Sequence, residues 1–189
     1  YMRIKRLVLK NFRNYPDLDL SISGDTVVLT GPNAVGKTNL IEAIYFTSLF
    51  KSFRNDAEFV FLRGSNNASL SLEMENNNQL HTLDVFLEQR DRIYANFKLD
   101  NVKRSRKDVQ GFLRVVVFEP SDVEIFSRSP EARRRYLNMV LSQFNPSYLD
   151  SLSHYKRVLV QKQRLLSDLS QGGGASESDL DAWNEQLMN

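Results

Sequence analysis

The stretch Gly31-Pro32-Asn33-Ala34-Val35-Gly36-Lys37-Thr38 has the residue types and spacing of a phosphate-binding loop. Each type has a task in that chemistry. Gly31 and Gly36 admit backbone turns that bring successive N–H groups onto phosphate oxygens. Lys37 offers a compact positive charge to β- and γ-phosphates, and the Thr38 hydroxyl is a ligand for Mg²⁺. A helix starting at Lys37 points its positive end at the same anion. These eight residues form a candidate site for a nucleoside triphosphate with Mg²⁺, and the choice between adenine and guanine rests on further motifs. No Asn-Lys-x-Asp is present, the signature that would favour guanine. No apolar run ends in paired acids either; Val115–Phe118 leads only into Glu119-Pro120. Hydrolysis is therefore not expected to be completed by residues of this chain unless Glu119 supplies the acid, and no catalytic residue is assigned.

Such a loop needs a strand before it and a helix after it. Val27-Val28-Leu29 is a short continuous apolar run and reads as a strand buried on both faces. Lys37 to about Phe50 reads as the helix, with Ile41, Ile44, Tyr45 and Leu49 on one side. Most of the remaining first 120 residues read as strands. Ile4–Phe12 mixes apolar and basic positions. Leu18, Leu20 and Ile22 alternate with polar residues, as do Leu70, Leu72 and Met74, and Leu83, Val85 and Leu87. Asn76-Asn77-Asn78 is a polar turn between two of these strands. Ile93–Leu99 continues the pattern, and Asp100-Asn101 closes a further hairpin.

After Val115–Phe118 the signals become helical. Ser121 and Glu124 have capping-box spacing, and Ser129-Pro130 and Asn145-Pro146 are helix starts. Pro146 to about Leu169 contains no internal Gly or Pro and predicts a long helix. Ser170 to Ser176 reads as a flexible linker. A last helix, capped by Ser178 or Asp179, runs through Trp183 and Leu187. The organisation expected is an α/β chain: a β-rich lobe with the phosphate loop over 1–120, then a helical lobe over 121–189. The final helix stops in mid-pattern, so the chain reads as truncated. Tyr1 ahead of Met2 reads as an expression remnant.

Composition narrows the class. The chain has no cysteine, which excludes disulfides and thiolate chemistry, and only two histidines. No apolar run approaches the ~20 residues of a membrane span, and no leader pattern opens the chain, so a cytoplasmic protein is expected. The net charge is only +2, so affinity for nucleic acid must come from local clusters. Lys103, Arg104, Arg106 and Lys107 place four basic residues within five positions. They suit phosphate contacts on DNA or, equally, a solvated loop. Arg133-Arg134-Arg135 splays over ~200° of a helix, and one or two of them are expected to pair with acids such as Asp122 or Glu124. His81 reads as a strand surface residue and His154 as a helix residue without metal partners. Trp183 reads as a packing residue.

A β-rich start, a phosphate loop and a helical excursion resemble the first half of an ABC-type ATPase head. Ile4–Tyr15 resembles the opening of heads of the structural-maintenance-of-chromosomes class, and Gly36–Ile44 continues the likeness. Lys51-Ser52-Phe53-Arg54, Phe118–Val123, Ser129–Asn138 and Gln143–Leu166 resemble the RecF family. The likeness covers nearly the whole chain. It departs at Phe53, where the family has His, at Arg128, where Gly is usual, and at Asn138, where Asp is usual. The resemblance implies an ATP-dependent DNA-binding protein of recombinational repair. It implies recombinase loading at gapped DNA, a part in normal replication and SOS induction, and slow DNA-stimulated hydrolysis. The implied partners are single-stranded/double-stranded DNA junctions, RecR, and a second copy in an ATP-dependent homodimer. It further implies that Arg13 and Asn39 belong to the nucleotide site, and that Arg54 faces nucleotide or DNA. An exposed loop arginine at 13 and a solvated helix end at 54 are the plainer alternatives. Rival functions are a P-loop kinase, a small-molecule ATPase and a chromosome-organising head.

Overall fold

The computed structural model describes residues 2–54, 60–124, 129–170 and 177–188. They divide into two units, Tyr1–Phe126 and Ser127–Asn189. The first is built on one antiparallel sheet of six strands in the order β2-β1-β3-β4-β5-β6. The strands are β1 (Met2–Phe12), β2 (Tyr15–Ser21), β3 (Asn67–Asn76), β4 (Gln79–Gln89), β5 (Ile93–Leu99) and β6 (Val102–Arg104).

The period-two alternation decides which face is buried. Leu7 and Leu9 on β1, Leu70, Leu72 and Met74 on β3, and Leu83, Val85 and Leu87 on β4 are all buried on one side. Register pairs such as Leu7↔Leu72 and Leu72↔Leu83 line them up across the sheet. Truncating one of these leucines to alanine costs about 2–5 kcal/mol. The turns obey their chemistry: Asn77-Asn78 and Asp100-Asn101 have positive φ at both residues and join strands through two-residue loops.

Helix α1 (Lys37–Leu49) lies on the buried face. Phe46 meets Phe12 at 6.2 Å between ring centroids, and Phe50 meets Phe97 at 4.4 Å. Tyr45 and Leu49 are buried and Ile44 packs on the core, as expected, but two positions differ. Ile41 is 44% exposed, whereas Glu42 is completely buried beside Ala43, Phe46 and Leu49. After β6, Ser105 caps the single turn α2 (Arg106–Val109) in a capping box with Asp108.

The strand expected at Val27–Leu29 does not form. No strand pairs with it among the described residues, and Val27 and Val28 are 52% and 77% exposed. A strand buried on both faces exists only through its ladder partners. Residues 114–119 are also irregular: Val115 packs on the core, while Val116 and Phe118 face outward. Pro120–Glu124 is a 3₁₀ turn rather than a capped α-helix.

The second unit contains α3 (Pro130–Phe144), α4 (Pro146–Ser170) and α5 (Glu177–Met188). Ser129 caps α3 through the Ala132 N–H, with Pro130 in the first turn, as the sequence predicts. Lys162 donates to Asn184 at 2.6 Å, tying α5 to α4. Helix α5 begins at Glu177, so Ser178 and Asp179 fall within it. The linker at 171–176 and Arg128 lie outside the described residues. No helix among the described residues is long and apolar enough to cross a membrane.

Candidate functional site

The phosphate loop has the backbone its sequence requires. Gly31 and Gly36 have φ of 144° and 112°, and Ala34 adds a third positive value of 65°. Gly36 is the N-cap of α1, and its carbonyl accepts from the N–H groups of Asn39 and Leu40. A methyl group added at Gly36 would stand 2.7 Å from Asn14 Nδ2 and 2.8 Å from the Tyr15 hydroxyl oxygen. Only glycine fits there, on conformational and steric grounds alike. The Lys37 ammonium donates to the carbonyls of Gly31, at 2.7 Å, and Pro32, at 2.5 Å. It therefore stays within the loop. Thr38 follows it in the first turn of α1.

The β1–β2 turn flanks the loop. Arg13 has φ 53°, uncommon for a residue with a Cβ, and its N–H donates to Val60 at 2.7 Å. Its guanidinium turns onto Glu42. Nε donates to Oε2 at 3.0 Å and Nη2 to Oε1 at 2.5 Å. Glu42 is 0% exposed, and a carboxylate without water costs several kcal/mol unless its lone pairs are filled. The Ser52 hydroxyl fills another at 2.5 Å, and Arg54 Nη1 stands 3.8 Å from Oε2.

A second chain of hydrogen bonds leads back to the loop. Arg54 Nη1 donates to Asn39 Oδ1 at 2.8 Å, and Asn39 Nδ2 donates to Asn14 Oδ1 at 2.7 Å. Asn14 Nδ2 in turn donates to the Val35 carbonyl at 3.0 Å. Arg13, Asn14, Asn39 and Arg54 border an open cleft of about 950 Å³, which Arg63, Ser65 and Gln89 also line. Of the residues implied by resemblance, Arg13, Asn39 and Arg54 thus gather beside the loop, through a carboxylate that sequence reasoning missed. One signal was present: Glu42, Phe46 and Leu49 are spaced i, i+4, i+7, which puts a charge within an apolar stripe.

The basic cluster is not one patch. Lys103 pairs across the sheet with Lys98 and is exposed. Arg104 pairs with Phe97 and so lies on the opposite face. Hydrogen bonds from His81 to Asp100 and from Ser105 to Asp108 hold both carboxyls below their usual range, and Arg104 adds to each. Arg106 turns inward: it donates to the Leu49 carbonyl at 3.3 Å and covers the Phe50 ring at 5.5 Å. Burial pushes its guanidinium below its usual range. Lys107 is exposed on α2. Elsewhere, His81 Nδ1 donates to Asp100 at 2.8 Å, with its ring edge-on to Phe112. Arg135 pairs with Glu131 on its own helix. Phe53 packs edge-on against Tyr45, and Asn138 accepts from the Tyr148 hydroxyl.

Comparison with known proteins places this geometry. The AAA ATPase domain family matches residues 2–170. The DNA replication and repair protein RecF of Halalkalibacterium halodurans is 38% identical over 99% of this chain and 50% of its own length. RecF of Agathobacter rectalis is 33% identical over 99% of this chain and 51% of its own. The chain thus spans about half the length of the curated relatives it matches. Among solved structures, the recombination mediator protein RecF-ATPrS of the RecFOR pathway superposes with a TM-score of 0.89. It is 26% identical and covers 98% of this chain and 50% of that one. An SMC ATPase, solved in work on ATP-driven dimerization and DNA-stimulated activation, gives a TM-score of 0.57 at 17% identity. It covers 75% of this chain and 99% of that one. The fold is the mixed α/β head that RecF and SMC ATPases share.

Proposed function

The chain belongs to the AAA ATPase domain family, and from that premise we propose that it binds ATP at residues 31–38, with Mg²⁺ at Thr38, in a DNA repair protein of RecF type. The observation that carries this reading is the loop itself. Three positive-φ residues, a lysine hydrogen-bonded to the loop carbonyls and a helix N-terminus lie together in this one loop. The residues fit the group. Lys37 exchanges the Gly31 and Pro32 carbonyls for phosphate oxygens, Thr38 contributes one hydroxyl, and Gly36 lets the backbone approach. Bound Mg·ATP supplies the negative charge and the metal; Arg13, Asn14, Asn39 and Arg54 hold the walls of the adjoining cleft in place.

For the whole protein the reading extends further, on the likeness to RecF relatives. It is a cytoplasmic ATP-dependent homodimer that works with RecR at gapped DNA, supports recombinase loading, normal replication and SOS induction, and hydrolyses ATP slowly when DNA is bound. Lys103, Arg104 and Lys107, with Arg54, are the DNA contacts proposed on this chain; Arg106 serves the fold first.

Titration calorimetry tests the central step. Lys37→Ala removes charge-assisted hydrogen bonds of about 1.5–3 kcal/mol, so affinity for Mg·ATP should fall roughly 10- to 150-fold. Thr38→Ala should weaken Mg²⁺-dependent binding more than metal-free binding. Unchanged affinity in Lys37→Ala would sink the assignment of the loop.

A further inference from the structure

The relay between Glu42 and the loop has a direction. Arg54 has only donors, so the side-chain amide it meets must present oxygen. Asn39 therefore accepts from Arg54 through Oδ1 and donates through Nδ2. Asn14 must then accept through Oδ1 and donate through Nδ2, and its acceptor is the carbonyl of Val35. Arg54 is held in turn from below: its own N–H donates to Ser52 Oγ at 2.9 Å, and that hydroxyl donates to Glu42. One buried carboxylate thus sets the orientation of two amides that are themselves at the surface.

The last link of this relay bears on the phosphate loop. The Val35–Gly36 peptide is trans, so its C=O and N–H point in opposite directions. Holding the Val35 carbonyl toward Asn14 aims the Gly36 N–H away from Asn14. That N–H has no acceptor among the described residues. The Asn14 side chain also lies close against Gly36, where a Cβ would stand 2.7 Å from Nδ2.

We propose that Asn14 is a positioning residue for phosphate binding: it fixes the Val35–Gly36 peptide so that the Gly36 N–H is presented to a phosphate oxygen, and Glu42, through Ser52, Arg54 and Asn39, fixes Asn14. This rests on the reading of residues 31–38 as a nucleotide site. Asn14 touches no phosphate in this scheme; it acts through the peptide. Its removal should cost affinity for the triphosphate without unfolding the sheet.

Gly36 can be watched alone. Val35-Gly36 is the only Val-Gly step in the chain, so [¹³C-carbonyl]valine with [¹⁵N]glycine labelling isolates its amide resonance. Mg·ATP added to the wild-type chain should move that resonance strongly, as expected for an N–H that gains a phosphate acceptor. In Asn14→Ala the shift should shrink and affinity should fall about tenfold. Asn14→Asp, which keeps the shape but lacks the donor, should behave the same way, and Arg54→Ala should lie between it and wild type. Thermal melts without nucleotide should leave the Asn14 variants near wild type. A full Gly36 shift and unchanged affinity in both Asn14 variants would overturn the proposal while leaving the nucleotide site standing. A wild-type chain whose loop ignores Mg·ATP would overturn both.

Discussion

Removing the Arg13 guanidinium should be among the most damaging single changes available to the first unit. Arg13→Ala leaves the Glu42 carboxylate, 0% exposed, with the Ser52 hydroxyl and an arginine 3.8 Å away. Breaking a buried ion pair from one side costs about 3–5 kcal/mol. The remaining hydroxyl, and an Arg54 able to move closer, place this case near 3 kcal/mol. Unfolding entropy of ~2.1 cal/mol/K per residue, taken over Tyr1–Phe126, gives roughly 0.26 kcal/mol/K. The melting temperature should therefore fall by about 11 °C, read by differential scanning calorimetry. The double variant Arg13→Met/Glu42→Leu removes both charges and should recover to within about 1 kcal/mol of wild type, because apolar replacement of a buried pair is often neutral. With the single variants Arg13→Met and Glu42→Leu added, the double-mutant cycle should report a coupling of about 2–3 kcal/mol. A loss under about 3 °C in Arg13→Ala, or a double variant worse than the single, would refute the claim that this pair is dry and mutually dependent.

Four further outcomes follow from the geometry. Arg106→Ala loses a hydrogen bond and a ring contact and should lower the melting temperature by about 4–8 °C. Lys103→Ala should leave stability alone but flatten the dependence of duplex affinity on salt by about 0.9 in the log–log slope; equal slopes would remove Lys103 from the DNA surface. Gly36→Ala should fold yet fail to bind Mg·ATP in calorimetry, since its Cβ collides with Asn14 and Tyr15 at φ 112°. Donation from His81, then from the Thr82 N–H, holds the Asp100 carboxyl below its usual range. Its folded value lies below the unfolded one, so its contribution is present above pH ~3.9 and is lost as pH falls through the folded value. Melts taken from pH 6 to 2 should thus fall more steeply for wild type than for Asp100→Asn, and parallel curves would count against the pair.

What could be read in advance was whatever depends on neighbours in the chain. The alternation at Leu70–Met74 and Leu83–Leu87, the two-residue turns at Asn77-Asn78 and Asp100-Asn101, and the helix start at Ser129-Pro130 all follow from local rules, and all are present. Features that need a distant partner were not legible. Val27–Leu29 has strand composition but no ladder, so its apolar side chains stay exposed. Lys103 through Lys107 are adjacent in sequence, yet the pleat and the α2 turn send them in different directions. The loop itself was plain from its glycines and Lys37. Its support was not, because the charge of Glu42 within an apolar stripe does not say that Arg13 and Ser52 close over it.

The sheet ends on both sides in strands that repel newcomers. An outermost strand offers unpaired backbone groups to any passing chain, and proteins blunt that invitation with charge, proline or brevity. Strand β2 carries Pro16, Asp17 and Asp19; β6 is three residues long and carries Lys103 and Arg104. The basic residues proposed for DNA therefore also act as a guard against self-association. Alanine at both positions would leave a Val-Ala-Ala edge in which Val102 is already exposed, and weaker DNA binding in such a variant could come from aggregation instead of lost phosphate contacts. Glutamine at Lys103 and Arg104 removes the positive charge while keeping the edge polar, and light scattering at the working concentration distinguishes the two causes.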